Sequence, residues 1–172
     1  ACTDHGYCSI QIEELTSFQV EHCLDVPANV IEIIFDDILA DPLGIGLKPL
    51  PGAIETISEL CNHSPVTVIT ARHEIQPVID WFDHYCAPED REKIKLIATG
   101  DHDDKEGYIR TCGLTHFIDD RALTCLQLAK AGLQPIVFSQ PWNYNQHDLP
   151  TVNDWAELYS LFDFSGDVIT CS

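Results

Sequence analysis

The stretch Lys105–Arg121, KEGYIRTCGLTHFIDDR, decides how this chain is read. Tyr108, Ile109 and Cys112 recur at helical spacing, and Gly113 is placed to close the helix they define. Thr115-His116-Phe117-Ile118 then reads as a short buried strand. Asp119 and Asp120 fall at its carboxyl end, and Arg121 opens the next helix. In open α/β sheets, ligands bind outside the carboxyl ends of the strands. Two carboxylates held there make a hard, all-oxygen donor set suited to Mg²⁺. The plainer alternative is that Asp119 or Asp120 only caps the following helix. The neighbouring segments have to decide.

On the amino-terminal side, Pro65-Val66-Thr67-Val68-Ile69-Thr70 is a β-branched run of the kind found in central parallel strands. It ends in Thr70-Ala71-Arg72, and a helix is expected over residues 73–85, with Pro77 near its first turn. Before the strand, Ile54, Ile57 and Leu60 define a helix over residues 53–61. The Pro- and Gly-rich stretch DPLGIGLKPLPG, Asp41 to Gly52, marks a boundary. Ile94–Ala98 is a further strand, and Thr99–Asp104 an acidic loop. Beyond Arg121, residues 122–131 read as a helix stopped by Gly132, Gln134–Phe138 as a strand, and residues 152–162 as a terminal helix starting at Asn153 or Asp154. Strands alternating with helices from Leu50 onward predict a three-layer, Rossmann-like parallel sheet.

The first part of the chain is different. Residues 1–27 read as irregular, with Ile10–Leu15 a short extended entry into a helix. Over residues 28–39, Ile31, Ile34, Phe35 and Ile38 share one helical face, and Asp36 and Asp37 lie on the opposite, solvated side. The expected organisation is a helical, cap-like segment over residues 1–48 and an α/β core over residues 49–172.

Composition bounds the partners. The 172 residues carry 9 Lys+Arg against 28 Asp+Glu, a formal net charge of -19. Such a chain is repelled by nucleic-acid backbone and by anionic membrane, so no polymer of nucleic acid and no membrane is expected as partner. An anionic small molecule then needs a local metal or a few cations to bind. No apolar run reaches membrane-spanning length, and the start ACTDHGYC does not read as a signal peptide. Eight cysteines are many for this length. Several sit on apolar helix faces, which favours reduced, mostly buried thiols in a cytoplasmic protein. Cys2, His5 and Cys8 have ligand-type side chains but lack the second half of a zinc site.

Three features from separate segments now point to one chemistry. Thr70 offers a hydroxyl, with Ala71 and Arg72 supplying backbone N–H groups at a helix start, which suits a phosphate oxygen. Lys105 begins the helix that feeds the Asp119 strand, so its ammonium is expected at the same edge of the sheet. Asp119 and Asp120 supply metal-binding oxygens. A hydroxyl, an ammonium and a Mg²⁺ carboxylate at one sheet edge form a phosphoryl-transfer site. Singly, Thr70 also reads as a strand-end cap and Lys105 as a solvated helix residue.

The chain resembles the haloacid dehalogenase superfamily of phosphohydrolases, and within it the 5′(3′)-deoxyribonucleotidase-like family. The matching residues are Leu50-Pro51-Gly52-Ala53, Val68-Ile69-Thr70-Ala71-Arg72, Lys105 with Gly113, Phe117-Ile118-Asp119-Asp120 and Pro141-Trp142-Asn143, within roughly residues 9 to 162. The resemblance implies that Thr70 is the phosphate ligand of the second motif and Lys105 the lysine of the third. It implies Asp119 as a Mg²⁺ ligand supported by Asp120, residues 9–48 as the helical cap, and a small phosphorylated metabolite, nucleotide-like, as substrate.

The chain departs from that family at its first motif. A strand ending D-x-D-G normally precedes the cap and carries the nucleophilic Asp and the general acid/base. Before residue 50 no Asp follows an apolar strand in that pattern. Leu161-Phe162-Asp163-Phe164-Ser165-Gly166-Asp167 resembles a degenerate version, with Asp163 as nucleophile and Ser165 in place of the acid/base. Two expectations follow. The chain is either a hydrolase, with its nucleophile supplied by Asp163 in a circularly permuted arrangement or by a segment absent here, or a catalytically silent protein of the same fold that binds a ligand or a partner. An incomplete sheet exposes apolar surface and favours association, as a homo-oligomer or within a larger complex.

Overall fold

In the computed structural model the described residues are 6–7, 9–101, 105–163 and 170–171, with 163, 170 and 171 described as backbone alone. Two 3-10 turns, Ile12–Glu14 and Val20–His22, precede helix α1 (Ala28–Ala40). Helix α2 (Ala53–His63), strand β1 (Val66–Thr70), helices α3 (Gln76–Tyr85) and α4 (Pro88–Arg91) and strand β2 (Ile94–Ala98) follow. Next come α5 (Lys105–Thr111), β3 (His116–Asp119), α6 (Ala122–Lys130) and β4 (Gln134–Phe138). The chain closes with β5 (Thr151–Val152), α7 (Trp155–Ser160), β6 (Phe162–Asp163) and β7 (Thr170–Cys171). The fold class is α/β, consistent with a Rossmann-like fold. Two compact units are present, one made of Ala1–Asp41 and Glu106–Thr151, the other of Pro42–Lys105 and Val152–Ser172.

In the second unit, β1 and β2 run parallel, with Val66 opposite Ile94 and Thr70 opposite Ala98. A parallel pair needs a crossover, and α3 with α4 supplies it. The core beneath is Cys61, Phe82, Cys86 and Ile94, with Ile54, Ile57, Val66, Val68, Val78, Trp81 and Leu96 packed on it. Trp81 donates its Nε1–H to the Leu47 carbonyl at 2.8 Å, tying the Pro/Gly-rich stretch down onto α3. Pro77 explains why α3 begins at Gln76 rather than His73. In a helix starting at His73, Pro77 would have to donate to the His73 carbonyl, and it has no N–H. Starting at Gln76 puts Pro77 in the first turn, where no donor is needed.

In the first unit, β3 and β4 run parallel, with His116 opposite Gln134 and Asp119 opposite Val137, and α6 is the crossover packed on both. β4 pairs on its other side with β5, at the limit of this unit. Ile109, Phe117, Cys125, Leu128, Ile136 and Val137 are among its buried apolar residues. Two helices end in the same way. The Leu114 N–H returns to the Ile109 carbonyl and the Leu133 N–H to the Leu128 carbonyl, with Gly113 and Gly132 at φ +65 and +81 between them. That left-handed step is the one an L side chain resists.

Some expectations need correction. Ile10–Leu15 is not extended but forms the 3-10 turn Ile12–Glu14. On α1, Ile31 and Ile34 are buried, whereas Phe35 is 44% exposed and so leaves the packed face. A stripe taking Ile31, Ile34 and Ile38 at steps of three and four leaves Phe35 on its margin. Asp36 and Asp37 are exposed, as a solvated face requires. The terminal helix stops at Ser160, and Phe162–Asp163 is extended. No described helix is long and apolar enough to cross a membrane.

Candidate functional site

The residues expected to carry chemistry fall in both units: Thr70, Ala71, Arg72 and Lys105 in the second, Asp119 and Asp120 in the first.

After β1 the chain does not enter a helix at once. Because α3 waits until Gln76, residues 71–75 are a loop, and Thr70-Ala71-Arg72 do not stand at a helix N-terminus. The turn is held by its own bonds instead. Thr99 donates both its N–H and its hydroxyl to the Thr70 carbonyl, at 2.8 and 3.2 Å, and the Gly100 N–H reaches the Arg72 carbonyl at 3.2 Å. Thr70 Oγ1 accepts the Arg72 N–H at a long 3.4 Å, so the plainer reading of Thr70 as a local cap is present but weak. Gly100 sits at φ +72 with His73 Nδ1 3.0 Å from where a Cβ would stand. The loops after β1 and β2 therefore close on each other through Thr99, Gly100 and His73, residues the sequence reading did not single out. Burial pushes the Arg72 guanidinium down from its usual value.

Lys105 opens α5, as expected, but it is 8% exposed. That is not a solvated helix residue. An ammonium is kept away from water only where other groups compensate it.

Asp119 is 8% exposed, and its Oδ1 accepts the Arg121 N–H at 2.8 Å, an Asx turn that fixes the carboxylate just before α6. The Asp120 carbonyl takes two donors, Trp142 Nε1–H at 3.1 Å and Asn143 Nδ2–H at 2.8 Å. The Cys125 thiol leans on the Asp119 carbonyl at 3.7 Å. Arg121 lies over the Phe18 ring at 5.2 Å, bringing the N-terminal stretch against the same strand end. The capping reading is thus observed, since one Asp119 oxygen orders the turn at the strand's carboxyl end.

The donor chemistry fits Mg²⁺. Among the described residues no group of three or more His, Cys, Asp and Glu is placed to hold a metal, but Mg²⁺ is commonly held by one or two carboxylates with water and phosphate oxygens completing the shell. Asp119 and Asp120 are the residues that would hold it.

Asp163 lies in a two-residue antiparallel ladder, Phe162 opposite Cys171 and Asp163 opposite Thr170. Among the described residues β1 pairs with β2, and β3 with β4, and neither takes β6. The permuted arrangement requires a parallel ladder there. The Asp163 side chain, Ser165 and the Cys2-His5-Cys8 group lie outside the described residues. Cys23, Cys61 and Cys86 are free thiols, and Cys61, Cys86 and Cys125 are buried.

Compared with known proteins, the chain matches no family model, no curated protein and no solved structure.

Proposed function

We propose that this chain is a haloacid dehalogenase-type, Mg²⁺-dependent phosphohydrolase of small phosphorylated metabolites, nucleotidase-like in its choice of substrate. The observation that carries the reading is the Asp119-Asp120 pair at the carboxyl end of a parallel strand, with Asp119 buried and its carboxylate fixed by the Arg121 N–H. In this reading Asp119, supported by Asp120, holds Mg²⁺. The ion supplies positive charge against phosphoryl oxygens. The Thr70 hydroxyl and the backbone N–H groups of Ala71 and Arg72 bind the phosphate, and the Lys105 ammonium balances its charge. Asp163 is the residue of this chain assigned as nucleophile. The net charge of -19 supports a small ligand rather than nucleic acid or membrane. The Cys23, Cys61 and Cys86 thiols support a reducing, cytoplasmic setting.

One observation favours a second reading, a protein of the same fold that binds a phosphorylated ligand or a partner subunit without turning it over. Among the described residues β6 pairs antiparallel with β7 and with neither parallel pair, whereas the permuted hydrolase needs it as a strand of the parallel sheet.

Hydrolysis of an aryl phosphate with and without Mg²⁺ separates the two. The enzyme reading expects Mg²⁺-dependent turnover, reduced by about a hundredfold or more in Asp119→Asn and abolished in Asp163→Asn. Asn keeps an acceptor for the Arg121 N–H, so the first variant should fold. Turnover unchanged by Asp163→Asn removes that residue as nucleophile. No turnover in a protein that still binds Mg²⁺ and phosphate leaves the ligand-binding reading, and a protein that binds neither ends the enzyme reading and leaves only a partner subunit.

A further inference from the structure

Asn143 is 1% exposed and is one of the largest fully buried side chains. Its side chain spends its polar capacity on backbone. Nδ2 donates to the Asp120 and Phe138 carbonyls, each at 2.8 Å, and Oδ1 accepts the Gln140 N–H at 3.0 Å. The adjacent Trp142 adds a donor to the Asp120 carbonyl. A buried amide satisfied in this way holds the backbone segments it bridges at a fixed separation.

What matters is which peptide the two donors grip. The Asp120 carbonyl and the Arg121 N–H are the two ends of one peptide unit, which is planar. Fixing its oxygen fixes the direction of its N–H. That N–H is the donor to Asp119 Oδ1. Orientation therefore passes from Trp142 and Asn143 to the Asp120–Arg121 plane, and from the plane to the Asp119 carboxylate.

We infer that Trp142 and Asn143 are positioning residues that aim the Asp119 carboxylate as a Mg²⁺ ligand by gripping the Asp120–Arg121 peptide. The inference rests on the reading of Asp119 as a metal ligand. Neither residue touches the metal or the substrate. Their part resembles that of groups behind a first set of metal ligands, whose loss typically weakens metal binding about 10- to 100-fold.

The test is Mg²⁺ titration by calorimetry on the whole chain, alongside the thermal midpoint of the metal-free protein and the amide resonance of Arg121. Trp142→Phe keeps the ring and removes one of the two donors. The expected result is Mg²⁺ affinity lowered about tenfold, a displaced Arg121 amide resonance, and a metal-free midpoint within about 4 °C of wild type. Asn143→Asp keeps size and the acceptor while losing both Nδ2 bonds, and should weaken Mg²⁺ binding further. A purely structural role would lower the midpoint and leave Mg²⁺ affinity as in wild type, and that result overturns the inference. If wild type binds Mg²⁺ and Trp142→Phe binds it equally, the positioning role alone is lost. If wild type binds no Mg²⁺, the metal-ligand reading falls and this inference with it.

Discussion

Cys61 and Cys86 show how the interior treats single groups. Burial first, and then the neighbouring Asp90 charge, pushes both thiols above the usual range. Asp90 is itself buried and takes the Ser58 hydroxyl at 2.6 Å. The folded chain therefore holds these protons at a pH where an unfolded one, with thiols ionising at about 8.5, releases them. The folded state binds more protons in that window, so stability is fully present below the ordinary thiol pKa and falls as pH rises through the folded values. Urea unfolding from about pH 7.5 to about pH 10 should show the decline, and the double variant Cys61→Ala, Cys86→Ala should flatten it. An equal decline in the variant would assign the effect to other groups. Single residues were unevenly legible beforehand. The sequence placed Lys105 at the start of α5 and Asp119 at the end of β3, and the structure has them there. Asn143 appeared only as part of a family motif, because nothing in an isolated Asn says that its amide will bridge three backbone groups.

At the level of elements, the apolar and β-branched runs were enough to place β2 and β4 at their ends, since each is bounded by polar or Gly-containing segments. Gly113 and Gly132 likewise marked where α5 and α6 stop. The start of α3 was misjudged because a missing N–H at Pro77 outweighs the favourable pattern before it. The short α4 and the 3-10 turns carry too few residues for any periodicity to register. The loop pair after β1 and β2 was illegible for another reason: its closure depends on contacts between segments far apart in sequence. Gly100 tests that closure. At φ +72, with the His73 ring 3.0 Å from a Cβ, Gly100→Ala should lose about 1–2 kcal/mol. Thermal unfolding reads this directly. A loss below about 0.5 kcal/mol would mean that the loop relaxes and that His73 and Gly100 do not set its shape.

For the whole molecule, the formal charge of -19 sets the electrostatic problem. An acidic chain attracts Mg²⁺ and repels phosphate, so phosphate binding should need the cation. The proposed hydrolase requires that Mg²⁺ binding through Asp119-Asp120 and phosphate binding through Thr70-Ala71-Arg72 be coupled, whichever group completes the chemistry. Linkage makes that requirement measurable, because two coupled ligands raise each other's affinity by the same factor. The direct measurement is inorganic phosphate binding by calorimetry across a Mg²⁺ series, with Asp119→Asn as the control for association of the two ions in solution. The account predicts at least about a fivefold gain in phosphate affinity with Mg²⁺, absent in Asp119→Asn. Phosphate affinity unmoved by Mg²⁺ in the wild-type chain, or moved equally in the variant, would contradict it.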